Sequence, residues 1–220
     1  MTEEECLDQL RHDPTVSDRK LRLFAAACCR RAWHLFAPLS RVAIETSERF
    51  ADGAATCDQL LCADYGNREV APGGILHILG STWETMAKVI AANAVHRPVE
   101  LSCVRLILEQ LPIAVRENPH SWESWFGWNK ARRAHIRYLQ CVFALAKPEP
   151  HDRTTPFPVS PTCIDLAQAI YTDRTFDQLP ILADALEDAG CTNTAVLDHC
   201  RQPGEHIRGC WVVDRVLGRE

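Results

Sequence analysis

SDRKLRLFAAACCRRAWHLF, Ser17–Phe36, decides the fold class. Leu21, Phe24, Ala25, Cys28, Ala32, Leu35 and Phe36 recur at three- and four-residue steps, which lays them along one helical stripe. Ser17 has the side chain of an N-cap, and Asp18 puts an acid in the first turn, where the helix dipole favours it. From Leu23 to Cys29 the segment is apolar all round, so this helix is predicted to be central. Arg19, Lys20, Arg22, Arg30 and Arg31 flank it. Snorkelling, or pairing with acids such as Glu45 and Glu48, accounts for them without a ligand.

The same period runs outward in both directions. Arg41–Ala51 and Thr56–Tyr65 read as two helices separated by Gly53. Ile75–Val95 carries Leu79, Trp83, Met86, Ile90 and Ala94 on one stripe. Glu100–Arg116 follows, and Pro112 is expected to kink or break it. Ser121–Ala146 makes one helix or two, with a break expected at Gly127. No apolar–polar alternation and no Asn-Gly or Asp-Gly hairpin signal occurs. The reading is an all-α protein, a multi-helix array of about nine to eleven helices.

Lys147–Pro161, KPEPHDRTTPFPVSP, breaks the pattern with five of the 13 prolines and reads as an extended connector. The expected organisation is therefore an N-terminal helical array over 1–147, a Pro-rich connector over 148–161, and a smaller C-terminal helical unit over 162–220. That unit is expected to pack on the first, because so short a piece buries little core alone. In it, Thr162 is expected to cap a helix over Thr162–Tyr171. Phe176–Ala189 should be the next, ended by Gly190, and Thr194–Arg201 and Glu205–Leu217 complete it.

Composition narrows the function classes. With 46% hydrophobic and 24% charged residues among 220, the chain has enough apolar surface to fold. The net charge of −5 disfavours binding to nucleic acid by charge alone. The acidity is uneven: residues 151–220 hold 11 acids against 6 arginines, a net of −5. A solvated helix face explains this, with Asp184, Glu187 and Asp188 on one polar side; a surface for a basic partner is the sharper reading. No apolar run reaches the roughly 18 residues of a transmembrane helix, so no membrane role is expected. The start carries Glu3, Glu4 and Glu5 rather than a basic and apolar leader, so the expected location is the cytoplasm. Eleven cysteines, an odd number, are expected to be reduced and mostly buried, as Cys28, Cys29, Cys103 and Cys141 are inside apolar stripes.

Three groups can carry chemistry. Cys191, His199, Cys200, His206 and Cys210 have the donors of a structural zinc site, with Cys191, Cys200, His206 and Cys210 as the candidate ligands. His206 and Cys210 stand four apart, one face of the expected helix. The competing reading is buried thiols beside a helix-lining histidine, with no cofactor at all, since no C-x-x-C knuckle is present. Were zinc bound, four protein ligands would make it structural rather than catalytic. Cys200 and His206, with Asp198 or Asp214, are the second group, a nucleophile–base pair that lacks a local signature. The third is Trp122, Trp125 and Trp128, followed by Lys130, Arg133 and Arg137. Aromatics beside a basic run suit a peptide-binding surface or a single-stranded nucleic-acid groove. Core tryptophans beside a wet basic face explain the same pattern.

SDRKLRLFAAACCRRAWHLF (17–36) and FDQLPILADALEDAGC…VLDHCRQPGEHIRGCWVVDRVLG (176–218) resemble an uncharacterised protein family abundant in planctomycete-type bacteria. The resemblance implies a bacterial cytosolic setting and an interaction or regulatory role. It implies no activity, cofactor or catalytic residue. The functional expectation is a non-enzymatic helical binding or adaptor module for a protein or peptide partner. The alternatives are a zinc-stabilised helical domain binding single-stranded nucleic acid, and a Cys/His-dependent enzyme.

Overall fold

The structure, a computed structural model, describes residues 2–13, 16–69, 83–117, 124–145 and 156–219. Among these residues every regular element is helical, as the periodicity predicts, and none is a strand. None of their helices is long and apolar enough to cross a membrane. The chain divides into two compact units: Leu10–His135, and Met1–Gln9 with Ile136–Glu220. The expected boundary was the Pro-rich connector; the observed division falls ten residues and more before it, inside a helix. Residues 148–155 of that connector lie outside the described residues.

α1 (Glu3–Arg11) has three glutamates in its first turn. The Leu10–His135 unit is then built on α2 (Asp18–Arg31), α3 (Pro38–Ala51), α4 (Cys57–Glu69), α5 (Trp83–Ala94) and α6 (Leu101–Glu117). α2 packs on α3, α5 and α6, so it is central, as its all-round apolar stretch requires. Ser17 caps it, accepting from the Lys20 N–H at 3.3 Å. α6 stays helical through Pro112, so of the expected kink or break the break does not occur. Pro112 is buried, and packing around it offsets the lost backbone bond. α7 (Ser124–Phe143) likewise passes through Gly127 without interruption. Trp122 lies outside the described residues, and so do the side chains of Trp125, Trp128 and Lys130 on α7.

Inside this unit Arg22 is fully buried. Its guanidinium donates to both Asp18 carboxylate oxygens, to Ser47 Oγ at 3.1 Å and to the His96 carbonyl at 3.0 Å. It also lies 5.0 Å from the centre of the Phe50 ring. Burial pulls the Arg22 pKa down from its ordinary value, and the Asp18 carboxylate works against that. Asp18 in turn accepts from the Val99 N–H at 2.6 Å. Arg30 pairs with the buried Glu48, one of the acids the sequence offers to the cations of α2.

The second unit contains α8 (Pro161–Asp173), α9 (Leu179–Asp188), α10 (Thr194–Arg201) and α11 (Trp211–Val216). α8 packs on α9 and α11, and α10 on α9 and α11. Ser160, not Thr162, caps α8, accepting from the Cys163 N–H at 3.3 Å. Pro161 is the reason: its fixed φ suits the first helical position, and this moves the start forward. α9 ends as expected. The Cys191 N–H donates to the Leu186 carbonyl and the Gly190 N–H to the Glu187 carbonyl, both at 2.9 Å, with Gly190 at φ +93°. Gly190→Ala forces a side chain into that conformation. It should cost about 1–2 kcal/mol, read as a lower urea midpoint at unchanged slope. Asp184 and Glu187 lie exposed and share Arg201 at 2.7 and 2.5 Å, so this acidic side faces solvent.

All 11 cysteines are free thiols, and nine are buried, which supports their reading as interior packing. Cys57 and Cys62 on α4 are exposed.

Candidate metal centre

Three separate stretches of the C-terminal unit deliver four donor atoms to one point. α7 supplies Cys141 from its last turn. α10 supplies His199, also from a last turn, after the Asn193 side chain fixes its start by accepting from the Ala195 and Val196 N–H groups at 3.1 and 3.4 Å. The segment between α10 and α11 supplies His206 and Cys210. This segment corrects the expected helix over Glu205–Leu217: residues 202–210 are not helical, and α11 begins only at Trp211. The physical cause is local. Gly209 sits at φ +87°, and the Cys210 N–H donates back to the Ile207 carbonyl at 3.0 Å. That tight turn carries Cys210 to the N-terminus of α11 and aims its sulfur back at His199.

Cys141 Sγ lies 3.5 Å from His206 Nδ1, and His199 Nε2 lies 3.3 Å from Cys210 Sγ. The two imidazoles meet edge to face, centroids 4.8 Å apart at 82°. The ligand atoms of Cys141, His199, His206 and Cys210 all lie within 4.8 Å of one another, so this group could hold a metal ion. The sulfurs are buried and the imidazoles partly so. Trp211 covers His199, with 5.3 Å between ring centres.

Electrostatics centre the group on Cys210 as the acceptor. Burial pushes the Cys141 thiol well up, and its hydrogen bond with Cys210 adds to that. Burial acts the same way on Cys210, but hydrogen bonds from Cys141, His199 and His206, with the charge of His199, outweigh it and hold that thiol well below its ordinary value. For His206 burial favours the neutral ring, and the bond to Cys210 prevails to raise its pKa. A hydrogen bond to the Gln202 backbone also orients that ring. Metal-bound histidines are commonly oriented in this way.

Of the candidate ligands read from sequence, the structure brings together His206 and Cys210, joined by His199 of the same group. Cys191 and Cys200 are corrected: both are buried thiols outside the donor set. The reason lies on α10, whose buried side is Val196, Leu197 and Cys200. Neighbouring residues on a helix point about 100° apart, so burying Cys200 leaves His199 to face the cluster. From sequence, Cys141 reads as core filler. Its only signal was a place on α7, far along the chain from its partners. The proposed Cys200–His206 catalytic pair gains nothing, since the His206 ring nitrogen faces Cys141 and burial pushes the Cys200 thiol up. Arg133 and Arg137 of the basic run are exposed on α7.

No protein-family model matches this chain, and neither a curated protein nor a solved structure matches it.

Proposed function

We propose that this chain is a non-catalytic helical binding module whose C-terminal unit is fastened by a structural zinc ion on Cys141, His199, His206 and Cys210. The convergence of two sulfurs and two imidazole nitrogens within 4.8 Å carries the reading. A zinc tetrahedron with Zn–S of about 2.3 Å and Zn–N of about 2.0 Å has sulfur–nitrogen edges of about 3.5 Å. Two of the four sulfur–nitrogen separations, at 3.3 and 3.5 Å, match it, and the whole donor set lies within 4.8 Å. A mixed thiolate and imidazole set suits zinc rather than calcium or magnesium, which take oxygen. Four protein ligands leave no open position for a substrate or an activated water, which favours a structural role over catalysis.

The binding half of the proposal is supported by the exposed Arg133 and Arg137 on α7, the helix that also carries Trp125 and Trp128. A protein or peptide surface is the reading we adopt, since Trp and Arg dominate such contacts. A single-stranded nucleic acid is the competing occupant, and binding that weakens steeply with salt would identify it. Metal analysis of tag-free protein, purified without chelator and under reducing conditions, tests the zinc half. One zinc per chain is expected, falling to none in Cys210→Ser. A metal-free wild type that takes up no added zinc would sink it.

A further inference from the structure

We propose that Tyr138 and Glu205 are positioning residues for this centre, a clasp that holds Cys141 and His206 in register before the ion arrives. The inference rests on the zinc reading above.

The Tyr138 hydroxyl donates to Glu205 Oε2 at 2.6 Å. That is the short length of a hydrogen bond to a charged acceptor, roughly twice as strong as a neutral one. Tyr138 precedes Cys141 by three residues on α7, so the two share one helix face. Glu205 immediately precedes His206. One residue earlier, a Cβ on Gly204 would stand 3.9 Å from the Arg137 stem. Residues 204, 205 and 206 therefore follow α7 past 137, 138 and 141. Cys141–His206 spans 65 residues and His199–Cys210 only 11, so the former carries the larger loop-closure cost. The Tyr138–Glu205 bond closes the same long loop one step away. Tyr138 is 5% exposed, so its hydroxyl needs this partner. Glu205 is exposed and outside the donor set, so its carboxylate is linked to the centre through Tyr138 rather than as a ligand.

Zinc affinity, measured by competition with a chromophoric chelator on the full chain under reducing conditions, tests the clasp. Tyr138→Phe and Glu205→Ala should each weaken binding about tenfold to a hundredfold, the usual effect of removing a group that orients ligands. Glu205→Gln keeps an acceptor and should recover most of the loss. The Tyr138→Phe/Glu205→Ala pair should be little worse than either alone. Cobalt loaded in place of zinc should give the same tetrahedral spectrum in every variant, since the ligands are untouched. Wild-type affinity in both single variants overturns the proposal, and so does a Glu205→Gln defect as large as that of Glu205→Ala. Glu205 sits on an exposed loop, so its variants report even if Tyr138→Phe folds poorly. A wild type that binds no zinc defeats the metal reading itself, and the clasp with it, an outcome distinct from equal affinities.

Discussion

Withdrawing zinc from the loaded protein with a strong chelator should lower the melting temperature of the C-terminal unit by about 15–30 °C. The magnitude follows from linkage. An ion present at about a thousand times its dissociation constant adds about 4 kcal/mol of stability to the form that binds it. In a unit of this size each kcal/mol moves the midpoint by about 4–8 °C. The effect should be local. Amide exchange should rise in 136–145 and 194–217, where α7, α10 and the turn before α11 meet the ligands, and stay unchanged in 18–51. Cys141→Ser and His199→Ala should reproduce the shift without chelator, and adding chelator to either should do nothing more. Acid should act in the same direction, because thiols and imidazoles must lose their protons to bind metal. A melting curve and exchange pattern indifferent to chelator would mean that the four donors pack as a metal-free cluster.

This centre shows which links of the chain from sequence to site are readable. α2 was legible because its information is local: a cap, an acid and a stripe at helical steps all lie within 20 residues. His206 and Cys210 were legible for the same reason, being close along the chain. Yet the ground for pairing them was wrong. They meet through a turn at Gly209 rather than on one helix face. The helical period read over Glu205–Cys210 yields to Gln202-Pro203-Gly204 and Gly209, which carry the stronger local instruction. Cys141 was illegible because nothing in the neighbourhood of a buried helical cysteine separates a ligand from a packing group. Only the tertiary return of the chain 65 residues later makes the difference. The choice between His199 and Cys200 turned on which side of α10 is buried, and that depends on α9 and α11 rather than on α10 itself.

Arg22→Ala should cost about 2–5 kcal/mol, the range for truncating a large buried side chain, since the Asp18 carboxylate left behind is 37% exposed and can be hydrated. Folded domains are stable by only about 5–15 kcal/mol in total, so such a loss approaches unfolding. Read from sequence, Arg22 was one of several cations flanking α2. In the fold it is the one with no solvent exposure, and it ties three elements together. Asp18 lies on its own helix, Ser47 on α3, and the His96 carbonyl just beyond α5. Ser47 also donates to the Ala94 carbonyl at 2.7 Å, so the guanidinium completes a chain of polar contacts at the end of α5. Two effects add on truncation: a cavity opens against Phe50, and the acceptors that the fork served lose their donors. The variants separate them. Arg22→Met refills much of the volume and restores none of the hydrogen bonds, so it should recover only part of the loss. Arg22→Lys keeps the charge, but one ammonium cannot match a planar fork against acceptors in three places, and it should also remain well below wild type. Urea unfolding followed by far-ultraviolet dichroism gives all three values. A cost below about 1 kcal/mol for Arg22→Ala would show that apolar packing around α2 holds the unit unaided.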